Sequence, residues 1–191
     1  MKDRWEIILS GVGGQGLILS GTILGEAAVV YEGKNATLTS SYGTETRGTF
    51  TKSDIIISSG DIYFPEVTKA DIVLALAPVA YDRCISDMDK DAVLIYDSDL
   101  ITDVKNTGVR QYGCPITQTA RRLGNATAAN LVALGIIARM TGVVSETSVI
   151  KAIGDRFPAK SQVAELNIKA FKGGVIICKI NLYTGQGVGW K

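Results

Sequence analysis

Apolar residues come in short runs separated by glycine, serine and charged positions. Trp5 to Leu9 is one such run, bounded by Ser10-Gly11, and predicts a buried strand. A glycine-rich turn follows from Gly11 to Gly16. Beyond it Leu17, Leu19-Ser20, Ile23-Leu24, Ala27-Ala28 and Val30-Tyr31 recur over a helix length as far as Gly33. That pattern predicts a helix closed by a glycine C-cap. Asn35 to Ser40 predicts a second strand. The first forty residues therefore read as one β-α-β unit, the opening of a parallel sheet.

Ser53 to Ser58, with Ile55-Ile56-Ile57, predicts another strand. Asp71 to Ala77 and Ala92 to Tyr96 are near-continuous apolar runs, which suits strands covered on both faces. Val109 to Tyr112 is a further strand. After Pro115 the pattern turns helical, with segments at Thr117–Leu123, Ala126–Met140, Ser145–Asp155 and Ser161–Phe171. Ser145 is placed to cap the third of these. Gly173-Gly174 is expected to end the fourth. Val175 to Ile180 then reads as an extra strand and Thr184 to Trp190 as a loose tail, where Trp190 would meet a partner chain. The expectation is an α/β fold. A doubly wound, mostly parallel, Rossmann-like sheet carries a helical C-terminal third, in a single domain over residues 1–191.

Composition narrows the chemistry. With 191 residues, 46% of them hydrophobic, the chain can bury a core without disulfides. It contains no histidine. A Ser-His-Asp triad, a Cys-His dyad, a histidine-ligated zinc and a histidine general base are all excluded from this chain. Cys84, Cys114 and Cys178 form no CxxC pair, so a self-contained iron–sulfur cluster or zinc site is not expected. Lys plus Arg is 20 against 19 for Asp plus Glu, which gives no footprint for nucleic acid or an anionic membrane. The longest apolar stretch, Leu131 to Ala138, falls far short of the ~18 residues of a membrane span. Met1 to Glu6 is charged and leads no secretory signal, so the expected compartment is the cytoplasm.

Ligands of open parallel sheets sit beyond the carboxyl ends of the strands. Two such ends stand out. Gly11-Val12-Gly13-Gly14-Gln15-Gly16 satisfies G-x-G-x-x-G between a strand and a helix. It could offer backbone N–H groups to an anion, or simply make the crossover compact. A nicotinamide dinucleotide would want an acid at the end of the second strand, but Leu38-Thr39-Ser40 stands there. Ser40 to Gly48 is dense in hydrogen-bonding groups. Within it Arg47 could hold a carboxylate or phosphate and Glu45 could orient it, or the two form a solvated surface pair. Asp97 and Asp99 read as a turn with side-chain-to-backbone hydrogen bonds, with water-mediated Mg²⁺ as the alternative. Asn125 and Asn130 read as a cap and a buried polar residue on the long helix. Asn130 facing a neighbouring loop is the alternative.

These motifs, in one order, resemble the gamma subunit of 2-oxoacid:ferredoxin oxidoreductases. The resemblance rests on Gly11–Gly16 with Leu24-Gly25-Glu26-Ala27-Ala28, and on Ser41-Tyr42-Gly43-Thr44-Glu45-Thr46-Arg47-Gly48. It extends through Pro65–Asp71, Leu74-Ala75-Leu76, Asn130–Gly142, Arg156-Phe157-Pro158 and Glu165–Phe171. The second motif looks more like that of the 2-oxoglutarate, pyruvate and branched-chain enzymes than that of the indolepyruvate enzymes, and the Asp71 region and the C-terminal helix look closest to the 2-oxoglutarate type. Thr49 stands where the family often has a second glycine, and Val175 to Lys191 matches no family motif.

The resemblance implies an enzyme that oxidatively decarboxylates a 2-oxoacid to acyl-CoA and passes electrons to ferredoxin. This chain would be one subunit among alpha, beta and ferredoxin-like delta partners. Thiamine diphosphate, Mg²⁺ and [4Fe–4S] clusters would sit mainly on those partners, with coenzyme A as co-substrate. Gly11, Gly13, Gly14, Gln15, Gly16, Ser41, Tyr42, Glu45 and Arg47 would border the active site, with no catalytic residue on this chain alone. The rival readings are a stand-alone dinucleotide-binding protein and a non-catalytic scaffold.

Overall fold

Arg4–Val12 forms the central strand, β1, of a six-stranded sheet in a computed structural model that describes residues 2–42, 49–157 and 162–183. The chain continues through α1 (Leu17–Glu32), β2 (Asn35–Tyr42), β3 (Phe50–Ser58), β4 (Ile72–Ala75), α2 (Pro78–Ile85), β5 (Val93–Asp97) and β6 (Arg110–Cys114). Then come α3 (Ile116–Arg122), a short 3-10 turn (Ala126–Ala128), α4 (Ala129–Thr141), α5 (Glu146–Arg156) and α6 (Gln162–Tyr183). Strand order is β2-β3-β1-β4-β5-β6.

The sheet is mixed. β1–β4, β4–β5 and β5–β6 are parallel, whereas β3 runs antiparallel to both β1 and β2. The expected β-α-β opening is therefore modified: β3 lies between β1 and β2. Periodicity identified β2 and β3 as strands but carries no information on direction or neighbour. The pairing Phe50↔Val12 brings the start of β3 beside the end of β1.

Strand side chains alternate between two faces. On the front, Ile7, Leu9, Ile55, Ile57, Ile72, Leu74, Val93 and Ile95 join one core with residues of α1, α3, α4, α5 and α6. On the back, Val73, Ala75 and Leu94 pack with Ala80, Tyr81 and Ile85 of α2. No apolar run in the sequence had pointed to α2. It begins on Pro78, whose fixed φ suits a first helical position. Helices on both faces make the sheet doubly wound. Beside α2 the back face keeps a trough of about 840 Å³, floored by Ile8, Phe50 and Val73.

The C-terminal third is helical, and the expected strand at Val175–Ile180 is instead the continuation of α6. Phe171, Val175 and Cys178 are buried while Ile176 is exposed, which is helical rather than alternating periodicity. Gly173-Gly174 does not end the helix, because α6 crosses α4 there at backbone contact. A Cβ on Gly174 would lie 1.9 Å from the Val132 carbonyl oxygen, and one on Gly135 would lie 2.0 Å from that of Phe171. The expected tail, with Trp190, lies outside the described residues. No helix among the described residues is long and apolar enough to cross a membrane.

Candidate functional site at the switch point

α1 follows β1 on the front face and α2 follows β4 on the back, so the connections diverge between these two adjacent parallel strands. Such a divergence opens a crevice at the carboxyl ends, where open α/β sheets take ligands. The first turns of α1 and α2 both border it. Neither has a side-chain cap or an acidic residue in its first turn. The first-turn N–H groups and positive dipole end of α1 suit an anionic group, and α2 adds its dipole end, since Pro78 has no N–H and the Ala80 N–H donates to the Ala77 carbonyl at 3.0 Å.

The glycine turn lies on the lip of this crevice. Gly13 and Gly14 are exposed, and Gly14 and Gly16 take positive φ, at 95° and 72°. Gln15 spans the crevice. Its Oε1 accepts from the Val12 N–H at 2.8 Å, and its Nε2 donates to the Leu76 carbonyl at 2.9 Å, just past β4. Gln15 thus has its amide engaged at both ends inside the protein. Gly11 makes room for it, since a Cβ there would lie 2.2 Å from Gln15 Oε1.

Sequence motifs far apart meet at this edge. The Gly13 N–H donates to the Thr49 carbonyl at 3.1 Å, so the residue just after the second motif touches the glycine turn. Ser41 is exposed near the end of β2, opposite Lys52. Tyr42 closes β2. Glu45 and Arg47 lie outside the described residues. The acid that a nicotinamide dinucleotide would need is absent from β2, and β3 separates β2 from β1.

Asn130 belongs to the site's framework. From the first turn of α4 its Nδ2 donates to the Gly16 carbonyl at 3.0 Å. The signal for it in the sequence was one amide opening the otherwise apolar run Leu131 to Ala138. Of its two readings, the structure bears out both burial and contact with the neighbouring turn. Asn125 makes no side-chain cap and instead accepts from the Thr127 hydroxyl at 2.7 Å.

The Asp97-Ser98-Asp99 motif is used internally. Asp97 Oδ1 accepts from the Ile116 N–H at 3.2 Å, and Oδ2 from the Thr117 N–H at 3.2 Å and the Thr117 hydroxyl. Asp99 takes the Gln118 N–H at 2.6 Å. The two carboxylates therefore cap α3. Burial raises the Asp97 pKa, and the Thr117 bonds oppose that. Burial likewise pushes up the Cys84 and Cys178 thiols. Among the described residues no three His, Cys, Asp or Glu side chains converge as a metal would require. Among the described residues, therefore, the donors present do not make a site for a cluster or a thiamine-bound metal.

Residues 6–176 match the family model described as pyruvate ferredoxin/flavodoxin oxidoreductase. The 2-oxoglutarate synthase subunit KorC of Methanocaldococcus jannaschii is 42% identical over 182 residues, 94% of this chain and 96% of that one. The gamma subunit of a keto/oxoacid ferredoxin oxidoreductase from Geobacter sulfurreducens superimposes with a TM-score of 0.84 at 40% identity, covering 94% of this chain and 98% of that one. A 2-oxoglutarate:ferredoxin oxidoreductase from Magnetococcus marinus, solved with 2-oxoglutarate, coenzyme A and succinyl-CoA, also gives 0.84. There the identity is 25% and the match covers 94% of this chain but 32% of the longer one.

Proposed function

Since this chain belongs to the pyruvate ferredoxin/flavodoxin oxidoreductase family, we propose that its substrate is 2-oxoglutarate and that its glycine turn borders the active site. The chain is a gamma-type subunit of a multi-subunit 2-oxoacid oxidoreductase that uses ferredoxin as acceptor. One observation carries the choice of substrate: 42% identity to a 2-oxoglutarate synthase subunit over nearly the whole of both chains.

Alpha, beta and delta partners complete the enzyme in this reading. Thiamine diphosphate, Mg²⁺ and [4Fe–4S] clusters belong to those partners, because this chain offers no histidine and no converging ligand set among the described residues. Thiamine diphosphate, bound on a partner, supplies the carbanion chemistry of decarboxylation. This chain's own work is positioning. The crevice between β1 and β4 presents the Gly13-Gly14 backbone and two uncapped helix starts to an anionic part of the 2-oxoacid or coenzyme A. Gln15 keeps the turn at its place on the lip. Ser41, Tyr42, Glu45 and Arg47 belong to the same border in this reading, with Arg47 pairing an acidic group.

The test is an anoxic affinity purification of the tagged chain from its own cells. Co-eluting chains are identified, iron and thiamine diphosphate are measured, and coenzyme A-dependent dye reduction is assayed with several 2-oxoacids. The highest kcat/KM is expected with 2-oxoglutarate. A preference for pyruvate or a branched-chain 2-oxoacid would overturn the substrate assignment. Unchanged Michaelis constants in Arg47→Ala, with assembly intact, would remove that residue from the border.

A further inference from the structure

An amide at the head of an apolar helix demands an explanation. Asn130 is 4% exposed and introduces a run in which Leu131 to Ala138 are all buried. Burying an amide is costly unless it is bonded, and an apolar side chain of similar size would serve the core better. The bond it makes is to Gly16. That residue stands at φ 72°, between the glycine turn and the first residue of α1. The Gly16 carbonyl already accepts the Ser20 N–H at 3.1 Å, and Asn130 Nδ2 takes its second lone pair at 3.0 Å. The Ser20 hydroxyl approaches the Asn130 carbonyl at 3.4 Å, so α1 and α4 hold each other at their first turns. The fit is close, because a Cβ on Gly16 would lie 2.5 Å from Asn130 Nδ2.

We propose that Asn130 is a positioning residue for the reaction: it holds Gly16 in its left-handed conformation and so fixes where the exposed Gly13-Gly14 backbone points. This rests on the reading that the turn borders the active site. Gln15 secures the turn to β4 from within. Asn130 secures its other end from a helix more than a hundred residues away in sequence. Two amides thus determine the aim of a turn whose glycines would otherwise sample many conformations. Such preorganisation affects affinity and orientation at the site more than global stability.

The test uses the assembled enzyme. Asn130→Asp keeps the shape but replaces the donor with an acceptor facing the Gly16 carbonyl. Amide hydrogen exchange of a peptide spanning residues 11–19 is expected to rise about tenfold or more, with peptides from α6 unchanged. The Michaelis constant for coenzyme A or the 2-oxoacid is expected to rise about three- to thirtyfold, with kcat changed less. Unaltered exchange at residues 11–19 in an assembled Asn130→Asp enzyme would overturn the proposal. Raised exchange with unmoved kinetic constants would leave the clamp standing and overturn the placement of the turn at the active site.

If Asn130→Asp does not assemble, Asn130→Ala, which deletes the donor without adding a negative charge, carries the same test. Exchange at residues 11–19 is expected to rise in the same way, with peptides from α6 unchanged. Unaltered exchange there would overturn the proposal.

Discussion

The two faces of the sheet are covered in different ways. On the front, side chains of five strands and five helices form one core, and α6 presses onto α4 until backbones touch. On the back, eight-residue α2 packs over Val73, Ala75 and Leu94, and charged side chains line a trough beside it. At the α4–α6 crossing the front-face contacts leave no room for a side chain, and through Asn130 of α4 this face reaches the glycine turn. Back-face contacts are fewer and partly exposed. Stability should therefore reside mainly in front, while the back should tolerate change.

The largest effect expected is at the helix crossing. Gly135→Val would force a side chain into the Phe171 carbonyl, so a loss of more than ~3 kcal/mol or an insoluble chain is expected. Gly154→Ala in α5 is the control. Nothing lies within 4 Å of a Cβ there, so thermal denaturation should show a gain of about 0.5–1 kcal/mol. Similar effects of the two changes would remove the contrast between crossing and surface.

Next comes a link between α1 and the start of α5. Glu32 pairs with Lys34 at 2.8 Å and accepts the Ser145 N–H at 2.6 Å. Burial would raise its pKa, but the Lys34 and Ser145 bonds, with that from Ser148, outweigh burial and lower it to about 2. A lowered carboxylate pKa adds stability above its ordinary value near 4.5, and this is lost as pH falls toward 2. Glu32→Gln should cost about 1–2 kcal/mol at pH 7, a deficit that shrinks progressively as pH falls from about 4.5 toward 2. Parallel stability curves for the two proteins across that window would contradict it.

The back face should give smaller numbers. The Tyr81 hydroxyl donates to Gln111 Oε1 at 2.7 Å and accepts the Lys105 N–H at 2.8 Å, tying α2 to β6 and the segment before it. Tyr81→Phe should cost about 1–1.5 kcal/mol by denaturant titration. Arg83, whose guanidinium lies 4.9 Å from the centre of the Phe50 ring, should cost under ~1 kcal/mol as Arg83→Ala. An Arg83→Ala loss exceeding that of Glu32→Gln would show that the back face matters more than its sparse packing suggests.

Part of the framework beneath this contrast could be read from the sequence, though α2 could not. The near-continuous runs Asp71–Ala77 and Ala92–Tyr96 became β4 and β5, strands buried on both faces. Gly33 closes α1 with φ 63°, and Ser145 caps α5 by accepting the Ser148 N–H. Local chemistry determines such features. The position of β3 between β1 and β2 was not legible, because strand periodicity carries no partner. The course of α6 through Gly173-Gly174 was hidden for a related reason. Those glycines break a helix in isolation, but here they admit the α4 backbone. At the site, the glycine turn was evident, whereas its two amide fastenings depend on tertiary neighbours at Leu76 and α4.

The crossing at Gly135 and Gly174 also limits how the sequence can drift. Where two side chains collide, a larger residue on one element can be answered by a smaller one on the other. Here the obstacle to each missing side chain is a carbonyl of the opposite helix, which every amino acid carries. No paired replacement can open space, so neither position has a neutral route away from glycine while α4 and α6 keep this distance. Lineages of this fold that lose either glycine should therefore show the helices moved apart, a change visible in geometry before it is visible in function.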